Sequence, residues 1–165
     1  MTRSEKIRLT RRKHRAYYTR RALRIIRKVQ PKNLLEASEA LGMTLIHAGT
    51  GAFRSTYRIY GSSLLIKFPI DREGKNHTRM EVKKIRALQK FPMWHKHLPP
   101  IHYFNGRDGV MVTKFYPKGK HPEYARNMLI GELTKWFCGV SLGDIGPDNI
   151  RSDGDDNLIL LDLGY

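Results

Sequence analysis

The chain has a single cysteine, Cys138, and so cannot close an internal disulfide. Its neighbours Trp136 and Phe137 make an apolar setting that fits a buried, inert thiol, and redox chemistry is not expected. Long apolar runs are missing too. No stretch reaches the ~18 apolar residues that a membrane-spanning helix requires, and residues 1–30 are too evenly basic to hold the apolar centre of a secretory leader. The expectation is an intracellular, cytoplasmic protein with no membrane partner. Acidic residues are also scarce, with 15 Asp and Glu facing 31 Lys and Arg for a net charge of +16. In 165 residues, 40% of them hydrophobic, there is still enough apolar material for the core of one domain, or one domain with an appendage.

The charge is unevenly placed. Residues 1–30 carry 12 Lys and Arg and one acid, Glu5, whereas residues 140–165 hold six aspartates and one basic residue, Arg151. A basic beginning suits an anionic partner, and an acidic finish suits a cation-binding or acid–base site.

Tyr18, Ala22, Ile25, Ile26 and Val29 recur at the spacing of one helix face, with Arg20, Arg21, Arg24, Arg27 and Lys28 around the remainder. Pro31 ends this basic helix, and a second short helix runs through Leu34, Leu35, Ser38 and Leu41 to a capping Gly42. The period then changes. Thr44–Ala48, Ser55–Tyr60 and Leu64–Phe68 read as three antiparallel strands, the first pair around a glycine-bearing loop and the second around the turn Gly61-Ser62-Ser63. A helix over 77–91 follows on Met80, Val82, Ile85 and Leu88, then strands at 101–104 and 110–115, giving the order βββαββ. Residues 123–138 have helical spacing. A final hairpin is expected from 149–151 and 158–161 around Ser152-Asp153-Gly154-Asp155-Asp156.

Three groups of residues carry chemistry. Gly49-Thr50-Gly51-Ala52-Phe53-Arg54 joins two strands, as a flap over a nucleotide requires, and glycine lets backbone N–H groups approach phosphate oxygens. It is not a Walker loop, because no Gly-Lys-Ser/Thr leads into a helix. Lys67 lies in the apolar strand Leu64-Leu65-Ile66-Lys67-Phe68, where an inward ammonium needs a partner. Glu81 on the following helix can supply one, and the pair would hold the phosphates of a nucleotide; an outward lysine on an edge strand is the alternative. In Gly143-Asp144-Ile145-Gly146-Pro147-Asp148-Asn149, followed after thirteen residues by Asp162, a hairpin that returns to its start would bring the groups together. Asn149 and Asp162 offer hard oxygen ligands for Mg²⁺, leaving Asp144 to orient an attacking hydroxyl and take its proton.

These residues resemble the protein-kinase-like superfamily, and in the catalytic loop its aminoglycoside and choline kinase branch. The resemblance runs from about Leu45 to Tyr165. It implies an α+β kinase-like fold with a five-stranded antiparallel N-lobe sheet and one helix, a much reduced C-lobe and extra N-terminal basic helices. The implied divisions are a basic helical extension over 1–43, an N-lobe over 44–116 and a minimal C-lobe over 117–165. Gly49, Gly51 and Phe53 fall in the glycine-rich flap, Lys67 is similar to the phosphate-pairing lysine and Glu81 to its helical partner. Val112-Thr113-Lys114-Phe115-Tyr116-Pro117 resembles the hinge, with Thr113 as gatekeeper and main-chain groups of Lys114 and Tyr116 as adenine contacts. Asp144 then matches the catalytic aspartate, Asn149 and Asp162 the metal ligands, and ATP and Mg²⁺ the cofactors.

Three departures stand out: Arg54 in place of the third glycine, Leu142 where the catalytic loop usually has histidine, and Gly146 where protein kinases often have lysine. Tyr165 directly follows the metal-binding motif, so if this sequence is the whole gene product, an acceptor is expected to be bound by the N-terminal helices, by another subunit, or by nothing at all. The implied activity is transfer of the γ-phosphoryl group of ATP to a hydroxyl on a protein or small molecule. A catalytically weak pseudokinase, binding nucleic acid or an acidic protein through residues 1–30, is the alternative, and nothing in the sequence names the acceptor. His95, His97 and His102 read as loop and strand residues rather than a metal site. Asp153, Asp155 and Asp156 read as an acidic hairpin turn rather than a calcium loop.

Overall fold

The computed structural model describes residues 1–117, 149–153 and 157–163. The expected helix over 123–138, with Cys138, and the loop bearing Asp144 lie outside the described residues. Helices α1 (Arg3–Val29) and α2 (Leu34–Leu41) lead into strands β1 (Leu45–Thr50), β2 (Arg54–Ile59) and β3 (Leu64–Pro69). Helix α3 (Arg72–Leu88), a 3₁₀ turn (Pro92–His97), and strands β4 (Ile101–Asn105), β5 (Val110–Lys114), β6 (Ile150–Ser152) and β7 (Leu158–Leu160) follow. The chain divides into two compact units, one of residues 1–75 and 101–115, the other of residues 76–100 and 116–165.

The first unit is built on the antiparallel sheet β1-β2-β3-β5-β4, with β3 at its centre. Side chains alternate across a strand. Leu64, Ile66 and Phe68 of β3 therefore share a face with Ile59, Val110 and Val112, and this face packs against Ala22 and Ile26 of α1 and Ala37 and Leu41 of α2. Burying a side chain such as Ile26 contributes roughly 1.5–3 kcal/mol. Lys67, Leu65, Met111 and Thr113 have the opposite parity and lie on the other face, across the register pairs Lys67–Met111 and Leu65–Thr113.

Helix α1 is longer than its apolar stripe predicts. A capping box starts it: Thr2 Oγ1 accepts from the Glu5 N–H at 3.2 Å, and Glu5 Oε2 accepts from the Thr2 N–H at 2.6 Å. Gln30 ends it in the left-handed conformation before Pro31. Asn33 caps α2 through its side chain, and Gly42 closes α2 at φ 56°, a conformation that glycine adopts without strain. Thr19 fastens α1 to the β2–β3 turn, its hydroxyl accepting from the Ser63 N–H at 3.0 Å and lying 3.1 Å from Ser63 Oγ. Further along, Arg27 Nη2 donates to the His102 carbonyl at 3.1 Å.

In the second unit the 3₁₀ turn buries Trp94 and touches the β6–β7 hairpin, where His97 Nδ1 lies 2.8 Å from the Leu158 carbonyl oxygen. Ile150, Ile159, Leu160 and Leu163 are buried. The turn end of the hairpin is clasped by Asp153, whose carboxylate accepts from the backbone N–H of Asn157 at 3.2 Å and from its side-chain amide at 2.9 Å.

Candidate active site

The flap is tighter than its sequence suggests. Gly49 and Thr50 belong to β1 and Arg54 to β2, so only residues 51–53 form the loop, and Gly49 pairs with Thr56 after an irregularity at Ala48. Hydroxyls lace the two strands together: Thr56 Oγ1 donates to the Gly49 carbonyl at 3.0 Å, and Thr50 Oγ1 lies 3.2 Å from Ser55 Oγ. The Gly51 N–H donates to the Arg54 carbonyl at 2.9 Å. That donor closes the loop. Phe53 is half-buried, and its carbonyl accepts from the Ile70 N–H at 3.0 Å. The same carbonyl sits so close to Gly74 that a Cβ there would come within 2.1 Å of it. Gly74 is thus where the flap meets the first turn of α3, whose start is fixed by Asp71 Oδ1 accepting from the Gly74 N–H at 2.8 Å.

Lys67 occupies the middle of β3 between Thr56 on β2 and Met111 on β5. It is only 6% exposed. β3 is the central strand, so the alternative of a solvent-facing lysine on a sheet edge does not describe this chain. Burial of an ammonium demands compensating interactions, and Lys67 does not stand without a partner. Arg54 and Arg58 share its parity on β2. Arg54 is buried, and the Arg58 guanidinium lies 4.6 Å over the Phe115 ring. This gives the face away from α1 and α2 a cationic lining, which the sequence hid because arginines on a strand read as solvent-facing. Thr113 is buried on the same face, and Lys114 ends β5.

In the second unit Glu81 is completely buried on α3 and is likewise partnered. Tyr116 is buried, and burial, with the negative charge of Asp153 second, pushes its phenol up to about 12. The β6–β7 hairpin pairs Ile150 with Leu160, and the Leu161 N–H donates to the Asn149 carbonyl at 2.6 Å, extending the ladder by one rung. Asn149 therefore lies across from Leu161, next to Asp162, at the open end of the hairpin. Asp162 has φ 60°. This left-handed conformation is uncommon outside glycine, is tolerated best by Asn and Asp, and clusters at functional positions. Periodicity gives no hint of it. An amide oxygen and a carboxylate are the hard donors that Mg²⁺ takes beside phosphate oxygens and water, so the donor set fits that ion. Among the described residues there is no group of three or more His, Cys, Asp or Glu able to hold a metal. One ring nitrogen of His95 meets the Gln89 carbonyl and one of His97 meets the Leu158 carbonyl.

No protein-family model matches the sequence, and no curated protein matches it. Among solved structures the chain is similar to the streptomycin–ATP ternary complex of APH(2″)-IIa, at 13% identity over 58% of this chain and 34% of that one, with a TM-score of 0.41. It is also similar to ADP-bound aminoglycoside phosphotransferase APH(2″)-Ib, at 13% identity over 55% and 30% with a TM-score of 0.42. A third likeness is to the GDP complex of wild-type aminoglycoside 2′-phosphotransferase-IIIa, at 15% identity over 79% and 43% with a TM-score of 0.43. The chain spans between 30% and 43% of the length of these three solved structures.

Proposed function

We propose that the chain binds Mg-ATP and transfers its γ-phosphoryl group to a hydroxyl acceptor. The observation that carries this reading is the β6–β7 hairpin, whose open end sets Asn149 across from the neighbour of Asp162, with Asp162 in the left-handed conformation. The register carries the chain back so that two residues thirteen apart in sequence fall one position from facing each other, which supports a shared site for a phosphate-bound cation.

Lys67, buried in an apolar strand, is the cation proposed to grip the phosphates, and Glu81 is assigned as its carboxylate by its place in the sequence alone. Gly49, Gly51 and Phe53 form the flap over them, and the main-chain groups of Lys114 and Tyr116 take the adenine. Asn149 and Asp162 would hold Mg²⁺, and its chemistry there would be to offset negative charge on the phosphates. In the transfer, the acceptor oxygen forms a bond to the γ-phosphorus while the bond to the β–γ bridging oxygen breaks, and ADP leaves. The acceptor proton passes to the Asp144 carboxylate, assigned to that role by its sequence position alone. Most of the rate comes from positioning and electrostatics rather than covalent chemistry by the protein.

A thermal-shift titration tests the site. At a hundredfold excess of Mg-ATP over Kd the melting temperature is expected to rise by about 5–10 °C, and the rise should need both ATP and metal and vanish in Asp162→Ala. A shift that persists in that variant, or none in the parent protein, rejects the site. Labelled ATP with hydroxylated acceptors then tests transfer, which Asp144→Ala should abolish.

A further inference from the structure

Helix α1 has two parts with different surroundings. From Thr19 onward it is tied to the sheet through Ser63, Ala22, Ile26 and Arg27. Tyr18 lies beside Gly61, and residues 1–17 are all exposed, so the front of the helix ahead of Tyr18 stands clear of the core for about 22 Å. It carries Arg3, Lys6, Arg8, Arg11, Arg12, Lys13 and Arg15, against one acid, Glu5, which is engaged in the capping box. Set at about 100° per residue, these seven bases leave no arc of the helix wider than about 100° without a positive charge. Ile7, Leu9 and Tyr17 point in separate directions, so there is no apolar stripe for lying on a lipid surface. The arrangement works against the helix itself, because Arg8–Arg12 and Arg11–Arg15 are like-charge pairs at i,i+4.

We propose that the front of α1 is a docking element for double-helical nucleic acid, entering the major groove of a B-form duplex. A membrane or an acidic protein patch offers anions on one side only. A groove about 12 Å wide admits one helix and lines it with phosphates on both flanks, and this matches charge placed all the way round. Contacts of this kind follow the phosphate backbone and need no base sequence. The inference does not rest on the nucleotide reading.

The test uses the full chain and a fluorescent 24-base-pair DNA duplex of mixed sequence, with binding followed by anisotropy across a salt series. One variant carries Arg8→Gln, Arg11→Gln, Arg12→Gln and Arg15→Gln. A control carries Arg72→Gln, Lys83→Gln, Lys90→Gln and Lys96→Gln, all at exposed positions. The first variant should bind at least about tenfold more weakly and lower the slope of log affinity against log salt by about 3 to 4, while the control keeps most of both. Its helix content and melting temperature should not fall, which separates lost binding from lost structure. The proposal is overturned if the duplex is not bound at low salt, if both variants lose affinity equally, or if vesicles with 30% phosphatidylserine or polyglutamate bind as tightly as the duplex.

Discussion

Asp162 combines a carboxylate with a positive φ, and the two properties can be separated by substitution. Asp162→Asn keeps the side chain that tolerates this conformation and removes the charge, so urea unfolding should change little while metal-dependent ATP stabilisation is lost. Asp162→Val should instead lower stability by about 1–3 kcal/mol, because a β-branched residue is strained there. Equal stability of the two variants would show that the backbone of residue 162 is not constrained. Tyr116 gives a pH test. Its phenol, pushed up to about 12 by burial and then by Asp153, stays neutral in the folded chain where the unfolded chain has begun to ionise. The group's contribution is thus intact below about pH 10, the unfolded value, and is lost as pH rises through about 12. Tyr116→Phe should flatten alkaline unfolding in that window. An unchanged alkaline limb would exclude Tyr116 as its source.

Among the elements, the contact of Gly74 with the Phe53 carbonyl is the least forgiving. Gly74→Ala would drive a Cβ to 2.1 Å from that oxygen, so the flap or the first turn of α3 must move, at a cost of about 1–3 kcal/mol. Denaturant unfolding reads the loss, and a neutral result would mean that the loop relaxes freely. The strands were legible because alternation and the turn residues of Gly61-Ser62-Ser63 leave few choices. The helix starts were not. Periodicity begins α1 at Tyr18 because the residues before it have no buried stripe, yet Thr2 and Glu5 carried the capping-box signal. Helix α3 begins at Arg72 rather than His77 because its first turn contains nothing apolar, and only Asp71 marked it. At the site, the register that sets Asn149 across from Leu161 followed from the hairpin. The inward cations of β2 did not, since burial of Arg54 depends on what covers the strand rather than on its own neighbours in sequence.

Across the whole molecule, a charge of +16 means that folding concentrates like charges, which salt screens over a Debye length of about 8–10 Å. The melting temperature should therefore climb between 20 and 300 mM sodium chloride, and climb less once the four arginines at the front of α1 are neutralised. A flat curve for the parent chain would show that its positive charges are already far enough apart. Among the described residues no helix is long and apolar enough to cross a membrane. Thr19 has a consequence at this scale, because the hydroxyl that grips Ser63 is a boundary between backbone that opens only when the core unfolds and backbone that frays by itself. Trypsin, which cuts after lysine and arginine, should shave residues ahead of that boundary long before it reaches the sheet. The positive arm is therefore severable: it can be clipped or rewritten as a local edit, and the scaffold behind it need not be rebuilt.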